Sequence, residues 1–258
     1  MKLTLEGIKD RKVWEEAGIS LPSYDVGAVA EATRKKPVWV HFGAGNIFRI
    51  FIGGIADVLI AQGVSDRGIT CAETFDFDVI EKIYRPYDNL VLGVTLKADG
   101  STDKKVIGAL TEALKAQAGD TEDWKRLKDI FADPGLQIAS FTITEKGYAL
   151  KGADGAYFPF IQADIDKGPE KAVSAMAVMC SLLYGRYKAG KAPLAVVSMD
   201  NCSHKGEKLQ ESIITMAKEW NRRGYVEDGF IAYLSDHEQV SFPWSMIDKI
   251  TPRPADSV

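Results

Sequence analysis

The chain has 258 residues, 46% of them hydrophobic and 26% charged, which is enough apolar sequence to bury the core of one large α/β domain or two small ones. This composition excludes a disordered tail. The formal net charge of −4 and the pI near 5.5 argue against a general nucleic-acid-binding surface, which would need a basic stripe.

The cysteines and the apolar segments predict the compartment. Cys71, Cys180 and Cys202 show no C-x-x-C spacing, so we expect neither a disulfide framework nor a structural zinc site. The N-terminal segment contains acidic residues and no apolar core of signal-peptide length, and no later stretch reaches ~18 uncharged apolar residues. We therefore expect a cytoplasmic protein that does not bind membranes.

The first predicted elements are an arm and a buried strand. Residues 1–36 are expected to form a polar arm with short helical pieces, including one at 26–33, that packs outside the sheet. The first core strand is predicted at 37–42. Its β-branched and aromatic residues are typical of a strand covered on both faces, as in a parallel sheet.

A glycine-rich turn and an apolar helix follow, which is the order that a nucleotide pyrophosphate needs. Gly43 permits a sharp exit from the strand, and Gly45 leaves no Cβ to hold a phosphate away from the backbone. The helix predicted from Asn46 to about residue 62 directs unpaired N–H groups at that phosphate. Phe48 replaces the third glycine of G-x-G-x-x-G, which predicts a shifted helix or an aromatic ring that borders the ligand. A tight turn without a ligand is the competing interpretation.

A second strand at 68–72 completes a βαβ unit. An acidic residue roughly 20 to 30 positions after the glycines is where an adenosine ribose is held by its hydroxyls. Glu73 is the first candidate and Asp76 the second, and an ordinary solvated loop acid is the alternative. Because a carboxylate here repels the extra phosphate of NADP, we predict a preference for NAD.

The rest of the chain continues to alternate strands and helices. Residues 90–114 alternate apolar and polar residues around Asp99 and Gly100, which predicts an antiparallel hairpin insertion. The later predicted elements are a helix from 120–121 to 131–132, a strand at 137–142, a turn-rich stretch at 151–169, a helix at 170–188, a strand at 194–198 and a helix at 206–220. The predicted fold class is α/β, a Rossmann-type and mostly parallel sheet with helices on both faces and an antiparallel hairpin insertion.

Candidate catalytic residues follow two of these strands. Glu145 and Asn201 are expected at the carboxyl ends of the strands at 137–142 and 194–198, where open α/β sheets bind ligands. They are placed to meet a substrate or a nicotinamide.

Two other patterns compete for the chemistry. Tyr184 and Lys188 have the Y-x-x-x-K spacing of short-chain dehydrogenases, in which the tyrosine is the general acid, but the glycine turn lacks that family's T-G-x-x-x-G-x-G form. Cys202 and His204 lie in a loop near Asp200, which could suggest a zinc site or a thiol nucleophile, but neither has enough partner residues. We therefore predict no metal site.

Four segments occur in order over nearly the whole chain: HFGAGNIFR at 41–49, TITEKGY at 142–148, VSMDN at 197–201 with KGEKLQ after it, and VSFPWSMIDKITP at 240–252. Together they resemble the long-chain mannitol dehydrogenase family, the polyol and sugar-acid dehydrogenases that use NAD or NADP without zinc. SLPSYDV in the arm and PVWVHFGAGNIFR look most like the D-mannonate oxidoreductase (fructuronate reductase) branch.

The resemblance implies roles for particular residues. Its G-x-G-x-x-x-R pattern accommodates Phe48 and Arg49, so the expected cofactor contacts are Gly43, Gly45, Asn46, Ile47, Phe48, Arg49, Glu73 and Asp76. It also implies that Asn201 holds the reacting oxygen, that Asp248 lies near the substrate pocket and that Glu145 borders the same region. For these three residues, a helix cap or a loop hydrogen bond is the alternative.

One departure from the family affects the expected chemistry. Family members carry a helical C-terminal domain with a general-base lysine in a K-x-x-x-x-N-x-x-H pattern, which no lysine of this sequence begins. We expect residues 37–258 to be the NAD-binding domain of a sugar-acid or polyol oxidoreductase, most like one acting on D-mannonate and D-fructuronate. The general base would then lie on a missing domain or a partner chain. A non-catalytic nucleotide-binding module, or the subunit of a split enzyme, is the alternative.

Overall fold

The structure, a computed structural model, describes residues 1–201, 204–245, 247–248 and 251. The strands are β1 (Ile19–Ser20), β2 (Trp39–Phe42), β3 (Ile69–Glu73), β4 (Val91–Leu96), β5 (Thr102–Ile107), β6 (Leu110–Lys115), β7 (Ile138–Phe141), β8 (Leu194–Ser198) and β9 (Val240–Ser241). The α-helices are α1 (Arg11–Glu16), α2 (Val26–Lys35), α3 (Gly53–Ala61), α4 (Phe77–Val79), α5 (Glu122–Ala132), α6 (Pro159–Lys167), α7 (Ala175–Lys188), α8 (Lys205–Arg222) and α9 (Asp228–Ser235). Two π-helical turns, Ile47–Ile52 and Ile80–Tyr84, precede α3 and follow α4.

Six strands form one parallel sheet in the order β6-β3-β2-β7-β8-β9. The chain enters this sheet at β2, adds β3 and β6 on one side, and then crosses to β7, β8 and β9 on the other. The order reverses between β2 and β7, and the carboxyl ends of strands at such a reversal border the ligand crevice of an open α/β sheet. The predicted Rossmann-type α/β fold is confirmed.

Apolar side chains cover both faces of this sheet. Val40 and Phe42 of β2 belong to a buried cluster that also contains residues of α5, α7 and α8. His41 lies between them and points to the opposite face, where its ring stacks on Phe48. The alternation along one central strand therefore agrees with helices on both faces.

The hairpin insertion is confirmed, but it is shorter than predicted. β4 and β5 pair antiparallel, and β1 pairs parallel with β5 to complete a separate three-stranded sheet. The prediction was wrong for the last part of the stretch at 90–114, because β6 pairs parallel with β3 in the main sheet. Four of the first five β6 residues are buried, as expected for a strand with helices nearby rather than for a solvated hairpin.

Residues 1–36 contact the sheet through specific bonds. The Thr33 hydroxyl of α2 accepts a hydrogen bond from the Gly68 amide (2.9 Å), directly before β3. The Tyr24 hydroxyl donates to Asp57 of α3 (2.6 Å), and burial together with this bond raises the pKa of Tyr24, so that the phenol stays protonated. The arm therefore lies against α3 and the start of β3.

The helices agree with the prediction in part. α5 begins after Thr121, whose hydroxyl accepts from the Trp124 amide (3.1 Å), and it ends at Ala132 as predicted. α7 begins at Ala175, after the cap Ser174, and not at residue 170. α6 lies inside the stretch predicted as turns, since Pro159 occupies a favourable first helical position, and α9 was not predicted. No helix in the described part of the chain is long and apolar enough to cross a membrane.

Candidate functional site

The turn after β2 requires glycine at its first position. Gly43 has φ +113°, and a Cβ built on it would lie 2.2 Å from the carbonyl oxygen of Thr142. The Gly43 amide donates to Ala72 (2.9 Å) at the end of β3, and the Thr142 amide donates to Phe42 (2.9 Å). The turn is thus held between the strands on both sides of β2, at the reversal of the strand order.

Gly45, two residues later, has a different environment. No heavy atom lies within 4 Å of a Cβ built on this residue, and its φ is not in the left-handed region. The folded chain would therefore accept a side chain here without strain. The space in front of Gly45 is open to a group from outside, as the phosphate hypothesis requires.

Phe48 is accommodated by a shift of the helix. The chain forms the π-helical turn Ile47–Ile52 before it becomes the regular helix α3, so the widened backbone makes room for a large side chain. The Phe48 ring is 0% exposed and lies parallel to the His41 ring, with 4.1 Å between the ring centroids. Of the two sequence alternatives, the structure favours the shifted helix, because this ring lies in the core and faces no open space.

The His41 side chain is part of a buried polar network under the turn. Its Nδ1 lies 2.7 Å from the Ser140 hydroxyl and its Nε2 2.8 Å from the Thr142 hydroxyl. Burial lowers the pKa of His41 to about 3, so the ring is neutral at physiological pH. The network joins β2 to β7 directly below Gly43.

Asn46 and Arg49 lie at the start of the π-helical turn. The Arg49 guanidinium donates to the Asn46 side-chain oxygen, and the Arg49 amide donates to the Gly45 carbonyl (3.1 Å). Asn46, Ile47 and Arg49 are all half-buried. The Arg49 guanidinium, in the first turn after Gly45, is suited to bind a phosphate, because its planar fork can donate two parallel hydrogen bonds.

Glu73 connects the end of β3 to the glycine turn. Its Oε2 accepts from the Ala44 amide (2.9 Å), and its Oε1 accepts from the Thr74 and Phe75 amides (both 2.9 Å). A carboxylate has about four acceptor positions, so one position on Oε2 remains for another donor. Asp76 is exposed at the start of α4 and makes no capping hydrogen bond.

Asp200 organises the opposite side of the site, a role that the sequence analysis missed. Its carboxylate accepts from the Ile143 and Thr144 amides (both 3.0 Å) and from the Tyr148 hydroxyl (2.5 Å). Tyr148 also lies 2.8 Å from the Ser198 hydroxyl in β8. The loop after β7 is therefore fixed to the end of β8. The signal in the sequence was an acid directly before Asn201, at the carboxyl end of a buried strand.

The three predicted catalytic residues lie at this edge of the sheet. Asn201 is exposed directly after Asp200. Glu145 is exposed in the loop after β7 and forms an ion pair with Lys208 of α8 (2.5 Å), at the rim of a cavity of about 300 Å³. Asp248 is exposed, and its neighbour Ile247 belongs to the same buried cluster as Ala44 and Phe48.

The tyrosine and lysine of the short-chain alternative lie at the other edge of the sheet. Tyr184 and Lys188 both bond to Glu227 (2.6 and 2.7 Å). Burial and the bond to Glu227 raise the pKa of Tyr184 to about 12, which is the opposite of what a catalytic tyrosine needs. Arg186, between them, donates to Leu136 and Pro193, which precede β7 and β8. The pair therefore lies at the amino ends of the strands, away from the glycine turn.

The loop cysteine Cys202 lies outside the described residues. Within those residues, Cys71 and Cys180 are free and buried, and no group of three or more His, Cys, Asp or Glu side chains could hold a metal ion.

Comparison with known proteins gives consistent similarities. Residues 37–257 match the family profile described as mannitol dehydrogenase Rossmann domain. A D-mannonate oxidoreductase from Thermotoga maritima is 46% identical over 258 residues, which are 100% of this chain and 47% of that protein. The solved structure of a Pseudomonas fluorescens mannitol 2-dehydrogenase in a ternary complex with NAD and D-mannitol is similar, with a TM-score of 0.76 and 26% identity, and the match covers 93% of this chain and 46% of that one. A substrate-free D-sorbitol dehydrogenase has a TM-score of 0.76 and 27% identity, covering 93% and 47%. The chain spans about half the length of the relatives that it matches.

Proposed function

The chain belongs to the mannitol dehydrogenase family, whose Rossmann domain its residues 37–257 match, and on that premise we propose that it binds NAD for the oxidation of a secondary alcohol or the reverse reduction. The observation that carries this proposal is the turn Gly43–Ala44–Gly45–Asn46. It lies at the reversal of the strand order, and open space faces Gly45. We further propose that residues 37–258 form this nucleotide-binding unit and that residues 1–36 are an arm that packs on it.

The residues of the turn fit a pyrophosphate. The amides of Gly45 and Asn46 and the guanidinium of Arg49 would hold it, with Ile47 beside them. Phe48 contributes through its stack on His41, which fixes the position of the π-helical turn. NAD, when bound, supplies the acceptor for a hydride from the substrate carbon.

The carboxylates of Glu73, the last residue of β3, and of Asp76 support NAD over NADP. The remaining acceptor position of Glu73 suits one ribose hydroxyl, and the exposed Asp76 is placed to take another. Both carry negative charge toward the position of the extra phosphate of NADP. The preference for NAD therefore has an electrostatic cause.

On the other side of the turn, we assign the substrate to the carboxyl ends of β7 and β8. Asn201 would donate its amide to the reacting oxygen, where negative charge develops, with Asp248 and Glu145 bordering the substrate. The name of the Thermotoga relative, D-mannonate oxidoreductase, supports D-mannonate as the substrate. We propose D-fructuronate, the corresponding ketone, as the product. The general base that takes the hydroxyl proton is proposed to lie outside these 258 residues, on a further domain or a partner chain. We place the reaction in the cytoplasm.

The proposal is tested by two measurements on the protein of residues 1–258. Fluorescence titration with NADH should show saturable binding that NAD displaces. With D-mannonate and NAD, this protein alone should form little NADH, because we place the base elsewhere. No NADH binding would refute the nucleotide site, whereas full turnover would place the base within the chain.

The second candidate function is a non-catalytic nucleotide-binding module. Both hypotheses predict nucleotide binding at the glycine turn, but only the oxidoreductase hypothesis predicts a substrate site. Titration of D-fructuronate in the presence of saturating NADH separates the two. The proposed oxidoreductase domain should bind the sugar acid less well when Asn201 is replaced by alanine. A module would show no sugar-acid binding.

A further inference from the structure

Phe75, two residues after the end of β3, is an exposed aromatic residue for which the fold offers no packing role. Its side chain is 92% exposed, more than any other large apolar side chain in the described part of the chain. Burying such a side chain is favourable, so a large aromatic ring left in water is often part of a binding surface.

The backbone of Phe75 is held in place although its side chain is free of packing. Its amide donates to Oε1 of Glu73 (2.9 Å), whose Oε2 accepts from Ala44 in the glycine turn (2.9 Å). The ring therefore projects from a loop that one carboxylate ties to the proposed phosphate site.

The direction of a bound dinucleotide places its adenosine half beside this ring. The proposed substrate residues lie at β7 and β8, on one side of the glycine turn, so the adenosine must extend over β3 and β6 on the other side. The loop after β6 lies close by, because the Ala116 amide donates to the Glu73 carbonyl (2.7 Å). Small residues follow in that loop, and a Cβ built on Gly119 would meet nothing within 4 Å. The space next to Gly119 is therefore open.

We infer that Phe75 is the stacking platform for the adenine base, a role that rests on the proposed function and deepens it. One face of the ring would be covered by the base, while Glu73 and Asp76 hold the ribose. Stacking on an aromatic ring depends on the π-face of the base and not on its hydrogen-bonding edges. Phe75 would therefore contribute affinity for the adenosine half and nothing for the nicotinamide half.

The test compares ligands with and without adenosine on the protein of residues 1–258. Replacing Phe75 by alanine should weaken NADH and ADP-ribose by about 5- to 150-fold, the range for loss of one stacked base, and leave reduced nicotinamide mononucleotide unchanged. Phe75→Trp should restore the affinity, and ADP-ribose should quench the new indole. Phe160→Ala is the matched control, since Phe160 is also an exposed phenylalanine (56%) but lies in α6 and stacks on Phe158.

Three results would overturn the inference. Phe75→Ala could bind NADH as tightly as the unchanged protein, or it could lose the mononucleotide equally, which would indicate a distorted turn. In both cases the proposed function would stand. If the unchanged protein does not bind NADH at all, the proposed function fails and this inference fails with it.

Discussion

The replacement of Gly45 by alanine separates the ligand role of the glycine turn from its role in folding. A Cβ at this position would meet no atom of the folded chain within 4 Å, and the backbone is not in the left-handed region. The substitution should therefore leave the free energy of unfolding unchanged or raise it by about 0.4–1 kcal/mol, because the unfolded chain loses freedom. Gly43→Ala should instead lower the free energy of unfolding, because its Cβ would lie 2.2 Å from the Thr142 carbonyl oxygen.

In Gly45→Ala, the added methyl group should occupy the position where a phosphate approaches the backbone. Pushing the phosphate away removes at least one hydrogen bond between an amide and a charged oxygen, a bond that contributes about 1.5–3 kcal/mol. The loss of one such bond corresponds to a 10- to 150-fold rise in Kd, about the range expected for Gly45→Ala. Valine at this position should abolish measurable binding.

The assay pairs urea denaturation with NADH titration on each variant. Gly185→Ala is the matched control, because a Cβ there also meets nothing within 4 Å but lies in α7, toward the other edge of the sheet. It should change neither NADH affinity nor the fold. A stable Gly45→Ala protein that binds NADH as tightly as the unchanged protein would refute the phosphate assignment.

Three further predictions concern the surroundings of the turn. Glu73→Gln keeps an acceptor for the Ala44 amide but removes the negative charge. The ratio of NADPH affinity to NADH affinity should therefore rise at least about fivefold, because like charges about 4 Å apart cost about 1 kcal/mol in water. An unchanged ratio would assign the discrimination against NADPH to Asp76. Arg186 is 1% exposed and donates hydrogen bonds to five backbone carbonyls. In urea denaturation, Arg186→Met should therefore lower the free energy of unfolding by about 3 kcal/mol or more. A loss below about 1 kcal/mol would contradict the stabilising role of these five bonds. His41 has a pKa of about 3 when folded and ordinarily about 6.5, so below pH 6.5 the unfolded state binds a proton that the folded state does not. The free energy of unfolding should therefore fall as the pH drops from about 6.5 toward about 3, by up to about 1.4 kcal/mol per pH unit, and His41→Asn should remove this part of the slope; equal slopes would show that His41 is not the responsible group.

Local patterns in the sequence predicted the elements that depend on local physics. The strand at 194–198 coincides with β8, and the helix after Thr121 ends at Ala132 as predicted. Both are short or well-capped segments with a clear apolar pattern. The order of strand, glycine turn and helix at 39–61 was likewise predicted, because Gly43 and Gly45 interrupt two apolar runs.

The errors arose where distant parts of the chain decide the structure. The sequence of β6 was interpreted as a continuation of the hairpin before it, and only its pairing with β3 places it in the main sheet. The burial of Phe48 depends on His41, which contributes the ring below it from β2. The bonds from Asp200 to the loop after β7 depend on the register of β7 and β8, which no local pattern contains.

The features of the candidate site also fall into two groups, those that local sequence spacing predicts and those that only the folded structure shows. The glycine turn and the acid after β3 could be found from their spacing, because one βαβ unit brings them together. The folded structure alone shows that the Glu73 carboxylate accepts hydrogen bonds from three backbone amides, one of them that of Ala44. Asn201 could be found from its position after a predicted strand, whereas its role and the choice of Asp248 came from the sequence resemblance; both roles are proposals.

The central claim, a dinucleotide held at the turn after β2, is tested most directly by NMR amide shifts of the ¹⁵N-labelled protein during titration with NAD. The largest shifts should fall on Ala44, Gly45 and Asn46, with further shifts at Thr74 and Phe75, and the amides of Tyr184 and Lys188 should not move. Saturable binding that leaves the Gly45 and Asn46 amides unshifted, or that shifts the region of Tyr184, would contradict the account.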